Sequence, residues 1–464
     1  MKYTLRLLLV VLLASVSKLA SAQAGNIIGQ VKDEKGITVI GANVEVIEGQ
    51  LKKGGAVTDD DGKFNIRAIF AGTYNVRVSY SGYQVSEISG VIVSVDKTTS
   101  LTFNLEKKGV TGKEVKVVAY KKALIDKYSP GSTSVLTSKE IEKLPTRNTQ
   151  DMVSTASPNT YQQKSGAAIS IGGARSEGTL YIIDGVQVRG SRGTNLSQNS
   201  ISEMQVLTSG ISARYGDAIG GVINITTKGI TSKVRGGGIV QHSIDGYNNN
   251  LFNFDLSGPL FAEKIKQEDG TIKKKPLIGF RVGADYQYDQ DNNPSYYGTY
   301  QVKDEVLSYI QQNPLRVSPK SSGGNTILNY ASEYITNKDL LYSKKRLNAT
   351  ANTFRLNEKL DFQINDNTNL TWGTTFSYDN SRAYSRGTAL LAPTAMPNSI
   401  NYTGRTYLRF TQRFNNNDKQ KNALISNAYY TVQADYQVDY STTQRNDLKK
   451  DLFNYGYVGK FDIQ

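Results

Sequence analysis

A chain of 464 residues is longer than one ordinary domain, and its mean hydropathy of −0.42, with 38% hydrophobic side chains, excludes a helical membrane protein. With no cysteine and a single histidine, His242, the chain has no disulfide framework, thiol nucleophile or histidine-rich zinc cluster, so its chemistry rests on carboxylates, lysines, tyrosines and hydroxyls. The net charge of +14 is spread through polar loops rather than packed into a stripe, which points to an anionic lipid surface and away from nucleic acid.

Residues 1–22 read as a secretory signal peptide. Lys2 and Arg6 precede the apolar run Leu7 to Ala14, and Ala20-Ser21-Ala22 has the small-residue pattern of a cleavage site. The mature chain is then expected to begin near Gln23 and to work outside the cytoplasm. Beyond residue 22 no apolar run approaches the roughly 20 residues of a spanning helix, so any membrane crossing falls to strands.

Residues 23–107 show short alternating runs separated by turn clusters, the pattern of a β-sandwich. Gly41-Ala42-Asn43-Val44, Thr58 to Phe64 and Gly72-Thr73-Tyr74 resemble the carboxypeptidase regulatory-like domain. That accessory module brings no peptidase chemistry, and no zinc ligands accompany it. Asp59, Asp60 and Asp61 precede a glycine, and a turn between strands accounts for them better than a bound calcium ion.

Residues 108–128 form a charged linker with one apolar island, Glu114-Val115-Lys116-Val117-Val118-Ala119. A β-branched segment of this kind either adds to a partner's exposed sheet edge or docks on its own domain. A short helix is expected from Ser138, with Glu142 near its next turn and Pro145 ending it, and a second over Thr149 to Ser154.

Within residues 129–229 the stretch Ile201 to Gly229 holds two strand-like runs, Met204 to Leu207 and Val222 to Ile225, around Gly210, Gly216, Gly220 and Gly221. Such glycine density suits backbone passing close to backbone. Asp184 lies in an Ile-Asp-Gly turn, which accounts for it without catalysis, since no second carboxylate is fixed nearby.

The run from Tyr215 to Gly229 closely resembles the signature that closes the plug domain of TonB-dependent outer-membrane receptors. Ile169 to Arg175 and Leu180 to Val186 resemble the central plug strands of that family. The resemblance spans about Ser132 to Gly229 and implies plug-signature roles for Asp184, Gly185, Arg214, Tyr215, Gly216, Gly220, Gly221 and Asn224. It implies a TonB box at residues 114–119, and it makes Gln162, Gln163, Lys164, Arg189 and Arg192 candidates to face an incoming ligand. The order of a regulatory-like module before the plug is that of the Bacteroidetes type. The function implied by the resemblance is gated import, without cofactor or covalent chemistry, of a siderophore, glycan, peptide or vitamin. TonB, with its inner-membrane energising complex, is the implied partner; a surface lipoprotein is compatible with it but not required.

Residues 230–464 alternate strictly. Tyr430, Val432, Ala434, Tyr436, Val438 and Tyr440 interleave with Thr431, Gln433, Asp435, Gln437 and Asp439, and 20 of the 29 tyrosines fall in this part. A soluble sandwich with its apolar face inward gives the same alternation as a membrane barrel with its polar face inward. Eight strands are expected, near 233–243, 250–257, 277–289, 352–364, 368–379, 405–414, 426–441 and 452–464, with a long connection at 258–276. Eight strands close too narrow a barrel to hold a plug, so the expectation is an N-terminal fragment with the first strands of an incomplete antiparallel transmembrane β-barrel. The expected fold class is mainly β: a β-sandwich, a small α+β plug domain and that partial barrel. The competing functions are a secreted or surface-anchored β-rich adhesin and a carboxylate-dependent glycan hydrolase, for which no acid pair can be placed.

Overall fold

Three successive patterns of alternation become three packed units. The structure, a computed structural model, describes residues 24–48, 51–70, 72–94, 97–108, 115–120, 132–188, 191, 194–211, 215–216, 218–231, 233–266, 272–291, 293–320, 326–365, 367–392, 395–414, 428–445, 448–451 and 453. The expected signal peptide lies outside the described residues, as does all but Phe453 of the expected strand at 452–464.

The first unit comprises β1 (Ala24–Asp33), β2 (Asn43–Glu48), β3 (Leu51–Val57), β4 (Lys63–Phe70), β5 (Gly72–Ser79), β6 (Val85–Val93), β7 (Thr98–Leu105) and β8 (Val115–Ala119). They form a three-stranded sheet in the order β4-β1-β7 and a five-stranded sheet in the order β3-β2-β5-β6-β8. The alternating runs turn one face of each sheet inward. Ile27, Val31, Phe64 and Phe103 meet Val44, Val46, Val76 and Val78 in one core. Each such side chain contributes about 1.5–3 kcal/mol on burial. The three aspartates form the expected turn, in which Asp59 Oδ1 accepts from the main-chain N–H groups of Asp61 (3.0 Å) and Lys63 (2.7 Å).

The second unit contains β9 (Thr133–Thr137), α1 (Ser138–Ile141), α2 (Thr149–Ala156), β10 (Thr160–Gln162), β11 (Ile169–Ile171), β12 (Thr179–Ile183), β13 (Val186–Val188), β14 (Ile201–Leu207) and β15 (Gly221–Thr227). Helix α1 starts one residue earlier in its capping than the sequence suggests. Thr137 is the cap, and Glu140 rather than Glu142 reaches back to accept from the Thr137 main-chain N–H at 2.7 Å. The sheet order is β13-β12-β15-β14-β9, with β12 and β15 parallel. Every described residue of β12 and β15 is buried, because α1 and α2 cover one face and a second apolar cluster, Leu180, Ile182, Tyr215 and Val222, covers the other.

The third unit is a wall of seven antiparallel strands in sequential order: β16 (Arg235–His242), β17 (Asn250–Lys266), β18 (Ile272–Asp289), β23 (Ala351–Asn365), β24 (Thr368–Arg382), β25 (Asn398–Phe414) and β26 (Ala428–Gln444). Between β18 and β23 the chain makes an excursion carrying β19 (Thr299–Val302), α3 (Asp304–Gln312), β20 (Leu315–Val317), β21 (Leu328–Tyr330) and β22 (Leu340–Ser343). Helix α4 (Arg386–Leu391) lies between β24 and β25. The long connection expected at 258–276 is corrected. β17 and β18 continue pairing to Lys266↔Ile272, past a register shift at Pro259, so most of that segment is wall rather than loop. The two longest connections, 290–350 and 383–397, therefore lie at one end of the wall and the two shortest, 267–271 and 366–367, at the other.

Wall side chains resolve which way the alternation faces. Thr403, Arg405, Arg409, Thr411 and Arg413 of β25 are buried against the other units, while Tyr402, Leu408 and Phe414 are exposed. On β26 Val432, Tyr436, Val438 and Tyr440 are all exposed on the outer face. Strand register lines up Phe252, Tyr286, Phe354, Tyr378, Tyr402 and Tyr440 as direct cross-strand neighbours, one aromatic belt across six strands near the long-loop end. Tyr378 and Tyr402 stand 5.0 Å apart between centroids and Tyr402 and Tyr440 6.0 Å. A polar face inward and an apolar, aromatic face outward is the arrangement of a membrane barrel and the inverse of a soluble sandwich.

Candidate functional site

At the long-loop end a cavity of about 1350 Å³ opens between the second unit and the wall. The plug side contributes Arg147, Asn148, Asp151, Lys164 and Asn195; the wall side contributes Gln241, Asn250, Asn352, Arg355, Asp379 and Arg382, with Tyr384 the one aromatic lining residue among the described residues. Amides and balanced charges make it a place for a polar ligand. Its rim is ordered by Asp151 on α2, whose carboxylate accepts from Ser165 Oγ (2.6 Å), Gln162 Nε2 (2.7 Å) and the Gly166 N–H (2.8 Å). Partial burial alone raises its pKa, but these donors outweigh burial and hold the carboxyl below its ordinary range. The loop contact is therefore complete above about pH 4 and is lost only as pH falls through that depressed value.

Of the residues singled out as ligand-facing, Lys164 lines the cavity, and Gln163 is exposed outside the lining. Gln162 does not face the ligand space, because its amide is held by Asp151 and by the Ala167 carbonyl at 3.1 Å. Arg189 and Arg192 lie outside the described residues. Sequence reading missed Arg147, Asp151 and the wall residues. Asp151 carries a local sign, an acid in the first turn of an expected helix, but nothing in the sequence brings β23 and β24 to it.

The plug-signature residues do structural work at the centre. Asp184 adopts a positive φ of 48° and Gly185 one of 90°, which closes the β12–β13 turn. The Asp184 carboxylate then accepts from the Thr227 N–H at 2.8 Å and its hydroxyl at 2.5 Å, tying the turn to the end of β15. From the wall, Arg409 donates to the Asp184 carbonyl and Gln433 Nε2 to the Gly185 carbonyl at 3.4 Å. Gly220 and Gly221 allow close passage, since a Cβ at Gly221 would sit 2.6 Å from Ile171 Cγ2 and 2.8 Å from the Leu207 carbonyl. Tyr215 and Asn224 are buried, and Gly216 lies in a turn directly after Tyr215; Arg214 lies outside the described residues. Asp184→Ala is expected to cost about 2 kcal/mol, from two lost charge-assisted bonds and a strained φ, read as a lower denaturation midpoint; Asp184→Asn should cost less, because Asn tolerates that φ.

At the short-turn end the first unit packs against both others. The Lys53 ammonium donates to Asp361 Oδ2 on β23 at 2.5 Å and pairs with Glu48 Oε2 at 3.1 Å. Glu48 Oε1 in turn accepts from the Ile230 N–H at 3.1 Å, where the plug joins the wall. Arg413 donates to the Ala68 carbonyl at 3.2 Å, and Ser94 to Glu203 at 2.6 Å. The candidate TonB-box segment lies on this unit as β8, paired in parallel with β6 from Val85↔Val115 to Ser89↔Ala119, and Val117 and Val118 are 59% and 46% exposed. Of the two readings open from sequence, docking on its own domain is thus the one seen here; Glu114 lies outside the described residues.

Comparison with known families places these units. Residues 26–106 match the carboxypeptidase regulatory-like domain, and residues 126–222 match the TonB-dependent receptor plug domain. The chain thus carries, in this order, a regulatory-like domain and the plug domain of TonB-dependent receptors. Over 283 residues, 54% of the chain and 26% of the relative, it is 32% identical to the TonB-dependent receptor SusC of Bacteroides thetaiotaomicron. It is also 32% identical over 161 residues, 28% of the chain and 21% of the relative, to a probable TonB-dependent siderophore receptor, PirA, of Acinetobacter baumannii. The chain thus spans about a quarter of the length of these curated relatives. Among solved structures, the alcaligin outer-membrane receptor FauA of Bordetella pertussis covers 68% of this chain with 40% of its own, at 12% identity and a TM-score of 0.42. The curated relatives are receptors, not enzymes.

Proposed function

We propose that the protein imports a ligand across the outer membrane, drawing on TonB and its inner-membrane energising complex, with the plug as the gate. The observation that carries this reading is the inside-out wall: its aromatic outer face suits outer-membrane lipid, and its polar inner face lies against the plug beneath a large polar cavity. The cavity's amide-rich, charge-balanced lining favours a polar ligand of low net charge over a strongly anionic one. Siderophore, glycan, peptide and vitamin remain the ligand classes in view, and a surface lipoprotein is a compatible companion.

Residues 114–119 are proposed as the TonB box, which would join TonB by strand addition. Val117→Pro removes a main-chain donor and fixes φ, and is expected to abolish binding of the complete receptor to a purified TonB C-terminal domain. Undiminished binding in a titration would remove the box from this position. Recovery of the receptor in the outer-membrane fraction, with uptake that stops when the proton gradient is collapsed, separates an importer from a secreted adhesin.

A further inference from the structure

We infer that the regulatory-like sandwich presents residues 115–119 as a preformed edge strand, so that TonB adds to β8 while β8 stays on β6, as a further strand of the sandwich's own sheet. This rests on reading residues 114–119 as the TonB box.

Strand β8 is the terminal strand of the β3-β2-β5-β6-β8 sheet, and among the described residues nothing pairs with its other side. Its five register pairs run without a shift, and the Tyr120 N–H extends the ladder to the Ser89 carbonyl at 2.8 Å. Tyr120 then packs against the sandwich core and fixes the strand's end. Val117 and Val118 are more exposed than most valines in this protein, so the strand is held chiefly by main-chain pairing, by the Tyr120 anchor and by Ser89 Oγ donating to the Val118 carbonyl at 3.5 Å. Strand addition needs only one edge of a strand, and among the described residues the second edge of the docked strand carries no partner. Ordering a free segment of this length on binding is unfavourable; a segment already extended by its own domain has that cost met before the partner arrives.

Two variants outside the box test this. The Tyr120 contact to Ser89 directs the Ser89 main-chain groups toward β8, so Ser89→Pro deletes a donor of the β6–β8 ladder. Tyr120→Ala deletes the anchor and leaves β6 untouched. In the complete receptor, either variant is expected to weaken binding of the purified TonB C-terminal domain by about tenfold. In parallel, hydrogen exchange of the unmodified receptor should show residues 85–89 as protected with TonB bound as without it. Unchanged or tighter binding in both variants, or loss of protection at 85–89 on complex formation, overturns the inference: β8 is then a latch that TonB must strip away, or irrelevant to binding. If Val117→Pro leaves binding intact, the TonB-box reading itself has failed, and that outcome differs from the other two.

Discussion

A receptor carrying Gly221→Val is expected to lose the plug fold, with a destabilisation of about 3 kcal/mol or more. Position 221 opens β15, at the middle of a sheet buried on both faces. Even a lone Cβ there meets Ile171 Cγ2 at 2.6 Å, Ile171 Cδ1 at 2.7 Å and the Leu207 carbonyl at 2.8 Å. The Ile171 atoms are packed core and the carbonyl is backbone, so no flexible side-chain end is free to give way. The measurement is protease resistance of the fragment covering residues 132–229, with a denaturation midpoint. Gly237→Ala on β16 is the control, because a Cβ there meets nothing within 4 Å; its effect should stay within about 0.5 kcal/mol. Equal effects at the two positions would mean that close approach is not what selects glycine in the signature.

Lys53→Ala is expected to release the sandwich from the wall. Lys53 sits between Asp361, 2% exposed, and Glu48, and removing one member of a buried set leaves carboxylates unpaired at a cost of about 3–5 kcal/mol. The double variant Lys53→Ala, Asp361→Ala should recover part of that loss, and the difference isolates the pair. Release would be read as new protease cleavage between residues 107 and 132 of the complete receptor. Burial disfavours the Lys53 charge, but Asp361 and Glu48 more than offset it and hold its pKa above the ordinary 10.5. Because the shift is upward, the contribution to docking is complete below 10.5 and fades only as pH rises through the raised value. Docking should thus be flat from pH 6 to 9; a loss within that range would show that Lys53 is not the controlling group.

How far these features could be read beforehand depends on how local their causes are. The two β-rich units and the plug strands were legible because side-chain alternation and turn residues are set within a few positions. The glycine-rich link was legible for the same reason: crowding at Gly220 and Gly221 comes from β11 and β14 of the same small domain. The direction of the wall was not legible from alternation alone, since Tyr430 to Tyr440 alternate alike in a sandwich and a barrel; the plug resemblance pointed to a barrel, and the burial of Arg405, Arg409 and Arg413 bears that out. The length of β17 and β18 was obscured by Pro259 and by a lysine-rich stretch that reads as loop. Lys53 and Asp361, 308 positions apart, leave no trace of their pairing in either segment. The aromatic belt is likewise a property of register: Phe252 and Tyr440 become members of one row only when six strands are laid side by side.

The five-stranded sheet of the sandwich has a mechanical consequence. One edge, β3, is fastened to the wall through Lys53; the opposite edge, β8, is where a pulling partner would grip. Traction along β8 loads its parallel seam with β6 all at once rather than bond by bond, and then passes across the sheet to the ion pair at β3. The plug is reached both through the sandwich's direct contacts, such as Ser94 to Glu203, and through the chain from residue 120 to 132, whose full extension is at most roughly 43 Å. For any partner that pulled on β8, the sandwich would come under tension before the plug, and whichever of the seam and the ion pair yielded sooner would decide whether the force reached the plug with the sandwich still docked on the wall or hauled ahead of it.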